Sequence, residues 1–122
     1  KGDGVYSGKA NTVIIIAATV AIGDDGNTYA ARICNELQIT ESGITYGDWY
    51  LPSKFEVGLM HVSRATIDAT ASANGGSNFS NNAYWCSLEI DNDEAWVRSV
   101  NNGVTLGYDK SNNFYVRAVR AF

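Results

Sequence analysis

Along the chain the hydrophobic positions change their rhythm twice. Between residues 11 and 23, "NTVIIIAATVAIG" is an almost unbroken apolar run. Its β-branched residues favour a strand, while Asn11 or Thr12 would cap a short helix, and periodicity does not separate the two. In "NTYAARICNELQI", Tyr29, Ala30, Ile33, Cys34 and Leu37 recur at helical spacing, which predicts a helix capped by Asn27 or Thr28. A turn-rich connection, "TESGITYGDWYLP", follows.

A second helix is announced by its start. Ser53 followed three residues later by Glu56 is a capping box, in which each side chain satisfies an amide of the first turn. Pro52 disfavours helix at Leu51 and fixes where the chain enters. Phe55, Leu59, Met60 and Val62 supply the apolar side of a helix running to about Ala65. From 66 to 82, "TIDATASANGGSNFSNN" is small and polar and reads as a long surface loop carrying the sequon Asn78-Phe79-Ser80. Beyond it the period becomes two. "AYWCSLEI", "EAWVRSV", "GVTLGYD" and "NFYVRAVRAF" predict an antiparallel sheet, with a tight hairpin turn at "NNG", 101–103.

The 122 residues suit one domain with its own core. At 45% hydrophobic and 18% charged, the chain is globular rather than disordered. A net charge of -4 argues against whole-surface attraction to nucleic acid, and leaves room for a local basic patch. The apolar run is too short to span a bilayer, so no membrane insertion is expected. The glycine-spaced opening "KGDGVYSG" predicts a linker over 1–10, with any export signal upstream.

Candidate chemistry is sparse. Cys34 and Cys86 show no metal spacing, and His61 is the lone histidine. The cysteines are either a disulfide in an oxidising compartment or two buried thiols. His61 and Ser63 lie two apart on a predicted helix and do not face each other, so no nucleophile and base are paired and no catalysis is expected. In "EIDNDE", Asp91, Asp93 and Glu94 are hard oxygen donors in a turn. They are weak divalent-cation candidates or a solvated hairpin tip; a calcium lectin site would draw on a second loop. Asp48 is a turn carboxylate or the partner of an arginine, and Arg117 and Arg120 on the last strand read as structural, paired with Asp48 or Glu56. Lys54, Arg64, Arg98 and Lys110 fall at a helix start, a helix end, a strand face and a turn, positions that favour exposure.

"AARICNEL", "YGDWYLPSKFEV", "YWCSLE", "EAW", "NNG" and "YVRAVRAF" come in the order found in the DUF1566 family, which the chain resembles over 11–122. Within that family the likeness is to head domains of collagen-like bacterial adhesins. The resemblance implies a single α+β domain of C-type-lectin-like type, with two helices on a sheet formed mainly by the C-terminal half. It implies a homotrimer at the end of a stalk, on the extracellular bacterial surface, that binds sulfated glycosaminoglycans of host surfaces. No cofactor is expected beyond a weak divalent cation. Asp48, Trp49, Pro52, Ser53, Glu56, Arg117 and Arg120 fall in the shared motifs as structural residues. Cys86 stands where the family more often has serine, which weakens the disulfide reading.

Sulfates stay ionised near neutral pH and pair with single Lys or Arg side chains. Lys54, Arg64, Arg98 and Lys110, repeated over a trimer, are therefore the expected ligand-binding residues. Two other classes compete. Trp85, Trp96, Tyr84 and Tyr108 beside Asn-rich turns would suit a lectin for non-sulfated glycans, and a trimerisation cap would bind no glycan.

Overall fold

Strand residues 83–109 organise the molecule around one three-stranded sheet. The computed structural model describes residues 2–121. In chain order it contains α1 (Ser7–Ala21), α2 (Ala30–Glu36), β1 (Ile39–Glu41), β2 (Ile44–Tyr46), α3 (Lys54–Val62), α4 (Arg64–Ala73), β3 (Ala83–Glu89), β4 (Glu94–Ser99) and β5 (Thr105–Asp109). The fold is α+β, as expected, but with four helices rather than two. β3, β4 and β5 pair antiparallel in that order, with Trp85 opposite Val97 and Val97 opposite Leu106.

The alternation of side chains across this sheet divides the core in two. On one face Trp85, Ala95 and Val97 pack against Ala31 and Cys34 of α2, Leu51, and Ile15 and Ile16 of α1. On the other, Tyr84, Cys86 and Val100 pack against Val57 and Met60 of α3 and against Phe79. Val57 and Val97 are fully buried, and each contributes roughly 1.5–3 kcal/mol of burial.

The ambiguous apolar run is helix. α1 is anchored by its first turns, where Gly8, Asn11 and Thr12 are buried, and by Ile15 and Ile16, while Val13 at 61% and Val20 at 60% stay exposed. Its start lies inside the stretch read as a linker: residues 7–10 are helical, and Gly2 exchanges hydrogen bonds with the Asn11 side chain.

Other expectations shift. α2 begins at Ala30 behind Tyr29, so neither Asn27 nor Thr28 caps it, and Ile33 points to solvent. α3 has the full capping box at Ser53 and Glu56. Its buried side is Val57, Gly58 and Met60, while Phe55, Leu59 and Val62 are exposed. The loop expected over 66–82 is helical through Ala73, because "RATIDATASA" is rich in alanine and small residues that a helix accepts. "ITESGITY" forms the β1–β2 hairpin, turned at Ser42 and Gly43, both with positive φ. The closing "NFYVRAVRA" is no ladder strand: it bridges β3 once, at Tyr84–Tyr115, and then leaves to pair Val119 with Tyr50. Among the described residues no helix is long and apolar enough to cross a membrane.

Candidate functional site

The corner "GDWYLPSKFEV" receives the N-terminal segment through one buried carboxylate. Glu56 accepts hydrogen bonds from the Ser53 amide (2.7 Å), the Tyr6 amide (2.9 Å), the Gly8 amide (3.1 Å) and the Tyr50 hydroxyl (3.1 Å). Gly8 sits so close that a Cβ there would lie 2.5 Å from Glu56 Oε2 and 2.6 Å from the Leu51 carbonyl. Ser53 Oγ also donates to the Gly4 carbonyl, and the Pro52 carbonyl accepts from the Ser87 amide of β3. Trp49 donates from its ring nitrogen to the Tyr46 carbonyl. Arg120 closes the corner with two hydrogen bonds to Asp48 and lies 4.4 Å over the Tyr46 ring. Glu56, which was one of two partners expected for the C-terminal arginines, pairs with neither of them in these contacts. Arg117 stacks 4.5 Å over Phe79 and donates to the Ser77 carbonyl.

The four candidate cations do not form one patch: Lys110 is exposed and Lys54, Arg64 and Arg98 are half-buried, and each already has a partner. Arg64 pairs with Asp68 at 3.2 Å and donates to the Phe79 carbonyl, while Asp68 accepts from the Phe79 amide. That amide, with Arg64 behind it, holds the Asp68 carboxyl below the usual range. Together they clamp the loop after α4, and the sequon residue Phe79 is part of the core.

Lys110 lies apart from the other three, at the β3–β4 turn. Its ammonium contacts Glu89 Oε1 at 3.1 Å, the Asp91 carbonyl at 3.2 Å and the Asn92 carbonyl at 3.0 Å. It stands among the oxygens that a cation would seek. Asp91 Oδ1 meanwhile accepts from the amides of Asp93 and Glu94, tightening the turn. Among the described residues no three His, Cys, Asp or Glu side chains are grouped to hold a metal ion.

Lys54 and Arg98 do meet. Arg98 Nη1 donates to the Lys54 carbonyl at 3.2 Å and Nε to the Gly103 carbonyl at 3.1 Å. Among the described residues Arg98 has no ion-pair partner, and two carbonyls accept its hydrogen bonds. Lys54 Nζ sits 4.7 Å over the Trp96 ring and 3.8 Å from Asp3 Oδ2, a long pair. Trp96 and Arg98 alternate onto the α3 side of β4. His61 borders the same turn, its Nδ1 against the Val100 carbonyl at 2.8 Å. Two cations, an indole face and a histidine thus share one face, the most cationic arrangement that the four candidates form.

Neither cysteine has the environment of a nucleophile. Burial pushes both thiols up to about 12, and both are free. They lie in different core clusters, on opposite faces of the sheet. A cleft of about 460 Å³ lies between α1, α2 and the sheet, floored by Leu51, Trp85 and Ala95 and rimmed by Thr28, Asn112 and Asn113.

Sequence reasoning missed Asp3, Gly58 and Gly103 as neighbours of the cationic face. A glycine inside an otherwise regular helix was the one available signal. No protein-family profile matches the chain, and no curated protein does.

Proposed function

We propose that the domain is a non-catalytic, extracellular bacterial adhesin module that binds sulfated glycosaminoglycans, with Lys54 and Arg98 as the principal contact on each subunit. The observation that carries this reading is the Lys54–Arg98 pair, whose guanidinium is held by carbonyls and not by a carboxylate. A sulfate reaching it displaces no internal ion pair at Arg98, whereas at Arg64 or Lys110 it competes with Asp68 or Glu89. Those two residues become secondary contacts.

Binding per subunit is weak and gains from repetition. An exposed ion pair is worth about 0–1 kcal/mol, and a long polyanion that touches several subunits gains effective concentration after the first contact. Repetition is supplied by a homotrimer on the exposed face of α1, where Ala10, Val13, Ala17 and Val20 follow the 3-4-3 spacing of a coiled-coil seam. The DUF1566 and lectin-like resemblance belongs to the same reading. No cofactor is assigned, since Lys110's own ammonium occupies the turn considered for a divalent cation.

A heparin column tests the contact. Lys54→Glu combined with Arg98→Gln should elute at clearly lower salt than the parent, and Asp3→Asn, which frees Lys54, at higher salt. Retention should collapse toward 1 M salt, where the Debye length is about 3 Å. Parental elution of the double variant would refute the assignment. Retention indifferent to salt and sulfation would instead favour a lectin for non-sulfated glycans, for which the cleft beside Trp85 is the physical basis.

A further inference from the structure

Gly58 is buried in the middle of α3, where glycine is a poor choice on conformational grounds. No turn or positive φ requires it. What requires it is a neighbour: a Cβ at this position would lie 2.5 Å from Arg98 Nη1, 2.7 Å from Cζ and 3.1 Å from Nη2. The guanidinium therefore rests directly on the helix backbone. From that seat Nη1 reaches the Lys54 carbonyl, one turn earlier on the same helix, and Nε reaches the Gly103 carbonyl of the β4–β5 turn.

We propose that Gly58 is the positioning residue of the anion contact: its missing side chain seats Arg98 against α3 and so brings the guanidinium beside Lys54. The inference rests on the glycosaminoglycan reading and adds its specificity determinant. A methyl group at 58 cannot share the space with the guanidinium. Because that group is the far end of a flexible side chain, the arginine moves and the helix does not. Arg98 then loses both carbonyls and the fixed spacing to Lys54, and a preorganised pair of charges becomes two independent ones. Any larger side chain at 58 acts in the same direction.

Binding of a heparin oligosaccharide is measured against salt for the parent, Gly58→Ala, Arg98→Gln and the double variant. Gly58→Ala should weaken binding about three- to fivefold, as Arg98→Gln does, and the double variant should be no weaker than Arg98→Gln alone. The slope of log affinity against log salt should fall by about one contact in each. The NMR signal of the Arg98 Nε–H, which donates to Gly103 in the parent, should shift in Gly58→Ala even without ligand. Arg98→Lys in the Gly58→Ala background, whose slim ammonium clears the new methyl, should recover part of the binding. If Arg98→Gln weakens binding and Gly58→Ala leaves both affinity and the Nε–H signal unchanged, the positioning role is wrong. Should Arg98→Gln itself bind like the parent, the glycosaminoglycan contact falls and the proposal with it. Unfolding of Gly58→Ala that Arg98→Lys does not rescue would also overturn it, since the helix and not the arginine would then be giving way.

Discussion

Asp48 and Arg120 stand 72 positions apart and meet through two parallel hydrogen bonds, Nε to Oδ1 at 2.6 Å and Nη2 to Oδ2 at 3.1 Å. The pair ties the last described turn of chain to the corner before α3, beside the Tyr50–Val119 bridge. Its fork geometry is one that lysine cannot reproduce. Arg120→Lys should lower the melting temperature measurably, and Arg120→Gln should lower it further.

Acid should act on the same pair. The Arg120 hydrogen bond holds the Asp48 carboxyl below its ordinary value, and the Phe79 amide does the same for Asp68. A depressed folded pKa contributes stability that is complete above the unfolded value of about 3.9, and that is lost as the pH falls through the folded one. Melting temperature measured from pH 6 to pH 2 should therefore drop steeply below about pH 4. Asp48→Asn with Asp68→Asn should be less stable at pH 6 and show a flatter acid limb; an acid limb as steep as the parent's would assign the acid sensitivity to other carboxylates.

Glu56 gathers donors from three segments, so a neutral isostere is instructive. In Glu56→Gln the amide nitrogen faces a backbone amide whichever way it is turned, Tyr6 at the Oε1 position or Gly8 and Ser53 at the Oε2 position. Each buried donor left unsatisfied costs about 1–3 kcal/mol, so with at least one such donor a loss of about 1–3 kcal/mol in urea unfolding is expected. Amide exchange should rise first in residues 2–12. A loss below 1 kcal/mol would mean that water replaces the carboxylate.

The thiols give a fourth check. Because burial raises both to about 12, a thiol reagent at pH 8 should label neither Cys34 nor Cys86 in the native protein and both in denaturant. Replacing both by serine should cost roughly 1–3 kcal/mol through the buried hydroxyls and leave the domain folded. Rapid native labelling of either one would contradict its place in the core.

The seam on α1 predicts the state of assembly. Light scattering on the parent should return three times the chain mass, and Val13→Glu with Val20→Glu should return one. Heparin retention of that monomer should fall well below the parent's, because avidity is lost while Lys54 and Arg98 are untouched. A parent that stays monomeric at high concentration would remove both the seam and the avidity.

Much of this fold was legible because the signal was local. The Ser53–Glu56 capping box works within one helical turn, so "PSKFE" announces α3 without any tertiary partner. Period-two alternation announces β3, β4 and β5, and the "NNG" turn places Gly103 at positive φ. The sequence by itself determined where these elements start; it left Asp48 as a turn carboxylate or an arginine's partner, and only the tertiary structure pairs it with Arg120. It did not determine the form of "VIIIAATV", because a β-branched apolar run fits a strand or a helix, and the helix is held by docking of Gly8, Asn11 and Thr12 against Glu56, Ser87 and Leu51. Nor did it separate the four cations. Arg64 has its acid, Asp68, one helical turn away, but the other partners lie far along the chain: Glu89 for Lys110, Phe79 for Arg64, Lys54 and Gly58 for Arg98. Charge is written in the sequence, but the partner that neutralises it is a property of packing.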